Sequence, residues 1–357
     1  VIAVCLVAAA AAGEGAAVAF TEVHMGLPVR ITVHAPSEDA VRPAVRAAMD
    51  RVKAHDLALS DWKPDSAAMQ LPTTPATVQV DDATLAEALD AASVWHQRTD
   101  GALDVTLGPL TRLWRAARRT GVWPSPQELL AARSASGMHN MSWNPADRTL
   151  TLHTAAMRLD FGGLAQGMAA DAALRSLRES GWPSAIVDVS GDVAVGDAPP
   201  GAVGWTVQVT PAFPDQPGET LLLERCGISS SGDRGQPSRI GDRPAGHILD
   251  PANGEPLPLP RQAVVIAASA TAADALATAF CVLSPEGCRA VMDGGSAIAV
   301  RLDRPSEEGG VQRMGAWSAI RRAEERPVAA PPSAEAAHPS PGPEETGPLG
   351  SAAPGPR

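Results

Sequence analysis

The 357-residue sequence contains no tyrosine, and its aromatic share is only 3%. Its core must therefore be layered from small aliphatic side chains, with alanine, glycine and proline filling the space. Positive charge is in deficit as well: 29 Lys and Arg stand against 40 Asp and Glu, for a net charge of −11. That balance excludes a broad nucleic-acid surface, which needs clustered basic side chains. A polyanion would then have to be met by a metal or by local basic groups. Cysteine is scarce, and Cys226, Cys281 and Cys288 show no C-x-x-C spacing. A disulfide framework and a cysteine zinc site are thereby excluded. A Cys281–Cys288 pair stays open, but small core residues are the expected reading. No long hydrophobic run is present either. The uncharged stretch 1–12, VIAVCLVAAAAA, is too short to span a bilayer. With Ala17-Val18-Ala19 before Phe20 it has the form of an export signal and its cleavage site, the alternative being a short buried helix.

What is present centres on 159–196. An apolar run ends in Asp160 and passes through Gly162 and Gly163 into a helix with Ala170, Ala173, Leu174 and Leu177 on one face. Gly181 stops that helix, and residues 185–189, AIVDV, read as a strand closed by Gly191 and Asp192. A helix N-terminus opened by glycines suits a phosphate, although the spacing is neither G-x-G-x-x-G nor a P-loop and also fits plain punctuation. Elsewhere, VRITVH (29–34) alternates like a strand, and Ser37 caps a helix running to about Leu59. Another helix spans about Asp82 to Arg98, one opens at 124–130, and 140–153 read as a hairpin. Strands are expected at 203–210, 219–225, 262–268 and 296–301, a helix at 271–283, and a long polar loop from Ser229 to Gly246. Strands and helices interleave without a βαβ rhythm, so the class is α+β.

Three further stretches hold candidate chemistry. Thr99-Asp100-Gly101-Ala102-Leu103-Asp104 puts acids around a turn, and Asp104 also suits a cap. His247-Ile248-Leu249-Asp250-Pro251 joins a histidine to a turn. Asp274 and Thr278 fall at i, i+4 on one helix face, either as hard oxygen ligands suited to Mg²⁺ or as a local hydrogen bond.

Together and in this order, Met25-Gly26, TDGALDVTLGPLTRLW (99–114), LDFGGLAQGMAAD (159–171), SGD (190–192), HILDPANGEPL (247–257) and SATAADALATA (269–279) resemble the FAD:protein FMN transferases of the ApbE, thiamine-biosynthesis-lipoprotein type. The resemblance covers about residues 20–320. It implies a single catalytic domain of α+β, tunnelling-fold-related architecture over 20–325, after an export-signal remnant at 1–19 and before a disordered Pro/Ala/Gly-rich tail at 326–357. It further implies transfer of FMN from FAD, the substrate, to a Thr or Ser of an exported or membrane-associated acceptor protein, in the periplasm. Flavin contacts would fall on Met25, Trp62, Ala102, Leu103, Asp104, Asp160, Gln166 and Ile248. Magnesium contacts would fall on the Gly163 carbonyl, Asp274, Thr278 and the Ala277 backbone, and His247 and Asp274 would carry the catalysis. Two departures are visible. Gln166 stands where the family has a lysine or an acid, and an early Ser-x-x-Ser-x-x-Asn pattern is reduced to Ser66-Ala67-Ala68-Met69-Gln70. Hydrolysis of FAD to FMN and AMP, and flavin binding without turnover, are the rival readings.

Overall fold

A computed structural model describes residues 15–213, 216–233, 239–257, 260–305 and 310–322. The chain enters through a hairpin, β1 (Ala16–His24) and β2 (Leu27–Ala35), turned at Met25 and Gly26, both at positive φ. Helix α1 (Glu38–Leu59) follows, capped by Ser37 Oγ accepting from the Ala40 N–H, with Val41, Val45, Ala48 and Val52 buried as their spacing requires. Next come the single turn α2 (Ala67–Gln70), strand β3 (Ala76–Gln79) and helix α3 (Ala83–Arg98). Helices α4 (Gly108–Thr120) and α5 (Pro126–Ser134) lead to the hairpin β4 (Met141–Asn144) and β5 (Thr149–Leu152). Helix α6 (Ala165–Glu179) precedes β6 (Ala185–Val189), β7 (Asp192–Val195), β8 (Trp205–Val209), β9 (Glu219–Leu223) and β10 (Cys226–Gly232). The short pairs β11 (Arg239–Ile240) with β12 (Arg243–Pro244), and β13 (Leu249–Asp250) with β14 (Glu255–Pro256), come before β15 (Gln262–Ala267). Helices α7 (Ala270–Val282) and α8 (Pro285–Asp293) and strands β16 (Ala299–Asp303) and β17 (Val311–Gly315) complete the described elements.

Eight strands form the main sheet in the order β1-β2-β6-β7-β10-β15-β16-β17, every neighbouring pair antiparallel. Period-2 alternation divides its side chains between two cores. Ala185, Val187 and Val189 face Ala170, Ala173, Leu174 and the buried stripe of α1, while Val265 and Ala267 face α7. Ile186, Val193, Ile228, Val264 and Ile266 meet the β8–β9 hairpin and Trp317 on the opposite side. The helix-side layers are mainly Ala, Val and Leu, as the composition requires. The architecture is α+β. Among the described residues no helix is long and apolar enough to cross a membrane.

Two expectations need amendment. Ser229–Gly232 belong to the central strand β10, where they pair with β15 while Cys226–Ile228 pair with β7, although a loop is expected from Ser229. Serine reads locally as a turn former, but here small side chains let helix α7 lie directly on the strand. Cleavage after Ala19 would fall inside β1, since Ala16–Ala19 pair with Thr32–Ala35. Residues 1–14 and the segment from 326 onward lie outside the described residues. All three cysteines at 226, 281 and 288 are free and buried.

Arg301, 1% exposed, bonds Asp303 on its own strand β16 and reaches across to Glu219 of β9. Glu219 also accepts from Arg313, Arg322 and the Trp317 indole. Burial would raise the Glu219 carboxyl, but these hydrogen bonds, first those from Arg322 and Arg313, hold it down at about 2. A depressed carboxyl stabilises the fold above its unfolded value of 4.5 and loses that contribution as the pH falls toward about 2. Glu219→Gln should therefore lower stability at neutral pH by about 3 kcal/mol, Arg301 keeping Asp303. It should also flatten the loss between pH 4.5 and 2 relative to the parent. Denaturant titrations of both proteins across that range check this.

Candidate active site

The candidate site lies where α6 and α7 approach each other beneath β10. Asp171 on α6 caps α7: its carboxylate accepts from the N–H groups of Ala270 and Thr271 at 2.9 Å each, and from the Thr271 hydroxyl at 2.6 Å. Ser269 Oγ takes the Ala272 N–H. The two helices are close enough that a Cβ on Gly167 would lie 2.5 Å from the Ala270 carbonyl oxygen. That proximity lets the Gly167 N–H donate to Asp274 Oδ2 at 3.0 Å.

Asp274 is 2% exposed and has no cationic partner among the described residues. Burial drives its carboxyl well above the usual carboxylate range, and Asp192 adds to the effect. One turn on, Thr278 Oγ1 sits 3.0 Å from Ser231 Oγ of β10. The Asp274 and Thr278 oxygens thus engage α6 and β10 respectively, rather than each other. Gly163 backs onto the same point: a Cβ there would lie 2.9 Å from Thr278 Oγ1 and 3.1 Å from Leu103 Cδ1. Ala277 is fully buried beside them. The sequence-expected metal residues Gly163, Asp274, Ala277 and Thr278 are therefore brought together, with Leu103 at their edge.

This donor set fits a hard divalent cation. A buried carboxylate held by a single N–H and a threonine hydroxyl one turn on are hard oxygen donors that suit Mg²⁺, which retains room for water and phosphate oxygens. No group of three or more His, Cys, Asp or Glu side chains able to hold a metal occurs among the described residues. Below Asp274, Asp192 accepts from Ser229 Oγ, and burial together with the charge of Asp188 raises it to about 7.

The expected flavin residues lie on several elements. Asp160 takes the Gly162 N–H at 2.8 Å and gives its own N–H to the Val105 carbonyl at 2.7 Å, fixing the glycine turn against 102–106. Asp104 does cap: its Oδ1 accepts from the Thr106 N–H at 2.8 Å and the Thr106 hydroxyl at 2.5 Å. Ala102, Leu103 and Ile248 are buried, and Gln166 is half-buried in the first turn of α6. Met25, at φ 55°, donates its N–H to Asp56 Oδ2 at 2.9 Å, and Lys63 Nζ holds the same oxygen at 2.6 Å. Trp62 is 57% exposed beside Gly26, with Lys63 over its ring. Two charged groups absent from the sequence reading appear here, Asp61 and Arg115, which form an ion pair. Burial and the neighbouring charge of Asp160 raise the Asp61 carboxyl, against the pull of Arg115.

His247 is exposed at the rim, its side chain 55% accessible, and Asp233 lies behind it at 9%. Their Nδ1 and Oδ1 atoms are 2.8 Å apart, and the same oxygen accepts the His247 N–H at 3.4 Å. Sequence reasoning missed Asp233, although it lies just past the SSSG of β10, inside the stretch expected to be a functional loop.

A main antiparallel sheet of eight strands, with a glycine turn laid against a helix-borne Asp/Thr pair, defines an α+β protein. A flavinyl transferase ApbE of Pseudomonas stutzeri superposes with a TM-score of 0.72 at 27% identity, covering 87% of this chain and 98% of that one. The ApbE family model matches residues 25–301, and this chain belongs to the ApbE family. A Chlamydia trachomatis protein named FAD:protein FMN transferase is 30% identical over 272 residues, spanning 73% of this chain and 83% of its own. One of the same name from Klebsiella pneumoniae is 28% identical over 285 residues, 75% of this chain and 79% of its own.

Proposed function

We propose that this protein transfers FMN from FAD to a Thr or Ser hydroxyl of an acceptor protein, with Mg²⁺, releasing AMP. The observation that carries the reading is the convergence of Gly163, Asp274 and Thr278 at the start of α6. Membership of the ApbE family, and the activity named for the relatives, supports it. Mg²⁺ bound at these oxygens supplies neutralisation of the diphosphate charge. The chain's own groups do the rest. The glycine-opened N-terminus of α6 presents N–H groups to phosphate oxygens. Met25, Trp62, Ala102, Leu103, Asp104, Asp160, Gln166 and Ile248 are assigned to holding the flavin nucleotide in line. His247 Nε2 takes the proton of the acceptor hydroxyl as its oxygen bonds to the FMN-side phosphorus. The phosphorus–oxygen bond to the AMP phosphate breaks, and AMP departs.

The acceptor is proposed to be exported or membrane-associated, with the enzyme itself exported and processed ahead of Ala16 so that β1 stays whole. The test is AMP release from FAD with Mg²⁺, with and without a candidate acceptor domain. AMP formed only with acceptor, together with an FMN mass increment on it, is the expected result. AMP without acceptor makes the protein a hydrolase, and bound FAD with no AMP makes it a flavin-binding protein.

A further inference from the structure

We infer that Asp233 is a positioning residue: it fixes the ring orientation and tautomer of His247 so that Nε2 is the basic nitrogen presented to the acceptor hydroxyl. The inference rests on the transferase reading above.

The geometry is that of an oriented base. Asp233 Oδ1 lies 2.8 Å from His247 Nδ1 and takes the backbone N–H of the same residue, so one oxygen fixes both the ring and the chain that carries it. An ionised carboxylate only accepts hydrogen bonds, so the proton between the two must sit on Nδ1. Neutral imidazole then has its lone pair on Nε2, on the exposed side of the ring. Asp233 is itself held: its N–H donates to the Arg261 carbonyl at 3.0 Å, pinning it to the edge of β15. Its other oxygen closes on Gly246, where a Cβ would lie 2.4 Å from Oδ2, so residue 246 must be glycine for the histidine to come this near.

The charges around the pair agree with this arrangement. Burial would raise the Asp233 carboxyl, but the His247 hydrogen bond and the charge of Arg118 hold it below the usual range, so it is ionised at neutral pH. Arg118 of α4 is fixed there by donating to the Gly246 carbonyl. Cys281 of α7, also near Asp233, stays neutral: burial pushes its thiol up to about 12. Among the described residues Asp233 thus faces Arg118 and the neutral Cys281 thiol, and it is the carboxylate bonded to the His247 ring.

Tautomer identity is read without turnover. Nitrogen-detected NMR of ¹⁵N-histidine-labelled full-length protein, with His247→Ala to assign the signal, should show Nδ1 protonated and Nε2 bare in neutral His247. In Asp233→Asn, whose amide can turn its NH₂ to Nδ1, the tautomer should switch or mix. FAD affinity should stay within about twofold while kcat for transfer falls ~100-fold or more, the scale of general-base contributions. Asp233→Glu should restore part of kcat. A bare Nδ1 in the parent, or an Asp233→Asn enzyme with parental kcat, overturns the inference. Failure of the transferase reading looks different: the parent itself then modifies no acceptor, while the tautomer is still read.

Discussion

Asp274→Ala should abolish FMN transfer, with a loss of ~1,000-fold or more in kcat. Removing a bound cation takes away several kcal/mol of charge stabilisation, and each 1.4 kcal/mol is about tenfold in rate. The argument is local. Asp274 is a buried carboxylate one turn before Thr278, which Gly163 backs onto, and it has no cationic partner among the described residues. A ligand that binds only the folded state raises its stability by mass action. Mg²⁺ should therefore raise the melting temperature of the parent and leave that of Asp274→Ala unchanged. Asp274→Asn keeps the volume and an acceptor for the Gly167 N–H, so it should fold as the parent does while losing both the Mg²⁺ shift and transfer. Calorimetric scans with and without Mg²⁺, beside the AMP assay, read both. A full Mg²⁺ shift in Asp274→Asn would remove Asp274 from the metal site.

Gly227→Ala should destabilise the protein by about 3 kcal/mol, at the upper end of overpacking costs. That is roughly 5 °C in melting temperature for a domain of about 300 residues. A Cβ at 227 would lie 2.1 Å from the Ser269 carbonyl carbon and 2.2 Å from the Ala270 nitrogen. Both are backbone atoms at the start of α7, so no side chain can swing aside. Relief requires α7 to lift from β10, which carries Asp274 and Thr278 away from Gly163 and Ser231. Transfer should fall along with stability. Gly287→Ala, in α8, is the control: its Cβ meets side-chain atoms, Leu283 carbons at 3.4 Å and Ser284 Oγ at 3.7 Å, which are ordinary contacts. Loss of backbone freedom in the unfolded chain should make that change neutral, or stabilising by up to about 1 kcal/mol. Equal melting temperatures for the two variants would contradict the close α7–β10 approach.

Much of the fold is legible because the patterns are local. Ser37 with the 41-45-48-52 spacing gives α1 to its observed ends, and AIVDV gives β6. Asn144 to Asp147 marks the β4–β5 turn. β10 is illegible for the opposite reason. CGISSSG has turn-forming serines where a strand needs bulk, and only the helix packed against it makes small residues the right choice. The cap formed by Asp171, 99 residues before the Ala270 N–H it accepts, is equally invisible.

By itself the sequence determined the α+β class, the family resemblance, and the Asp274–Thr278 pair, because helix periodicity alone puts i and i+4 on one face. Only the tertiary structure decided what those side chains meet. Asp274 is buried against Gly167, 107 residues away in the chain, Thr278 meets Ser231, and His247 gains Asp233. A carboxylate's charge, a hydroxyl's lone pairs and an imidazole's tautomer depend on neighbours within a few ångströms. Those neighbours come from separate strands and helices, so spacing along the chain cannot specify them.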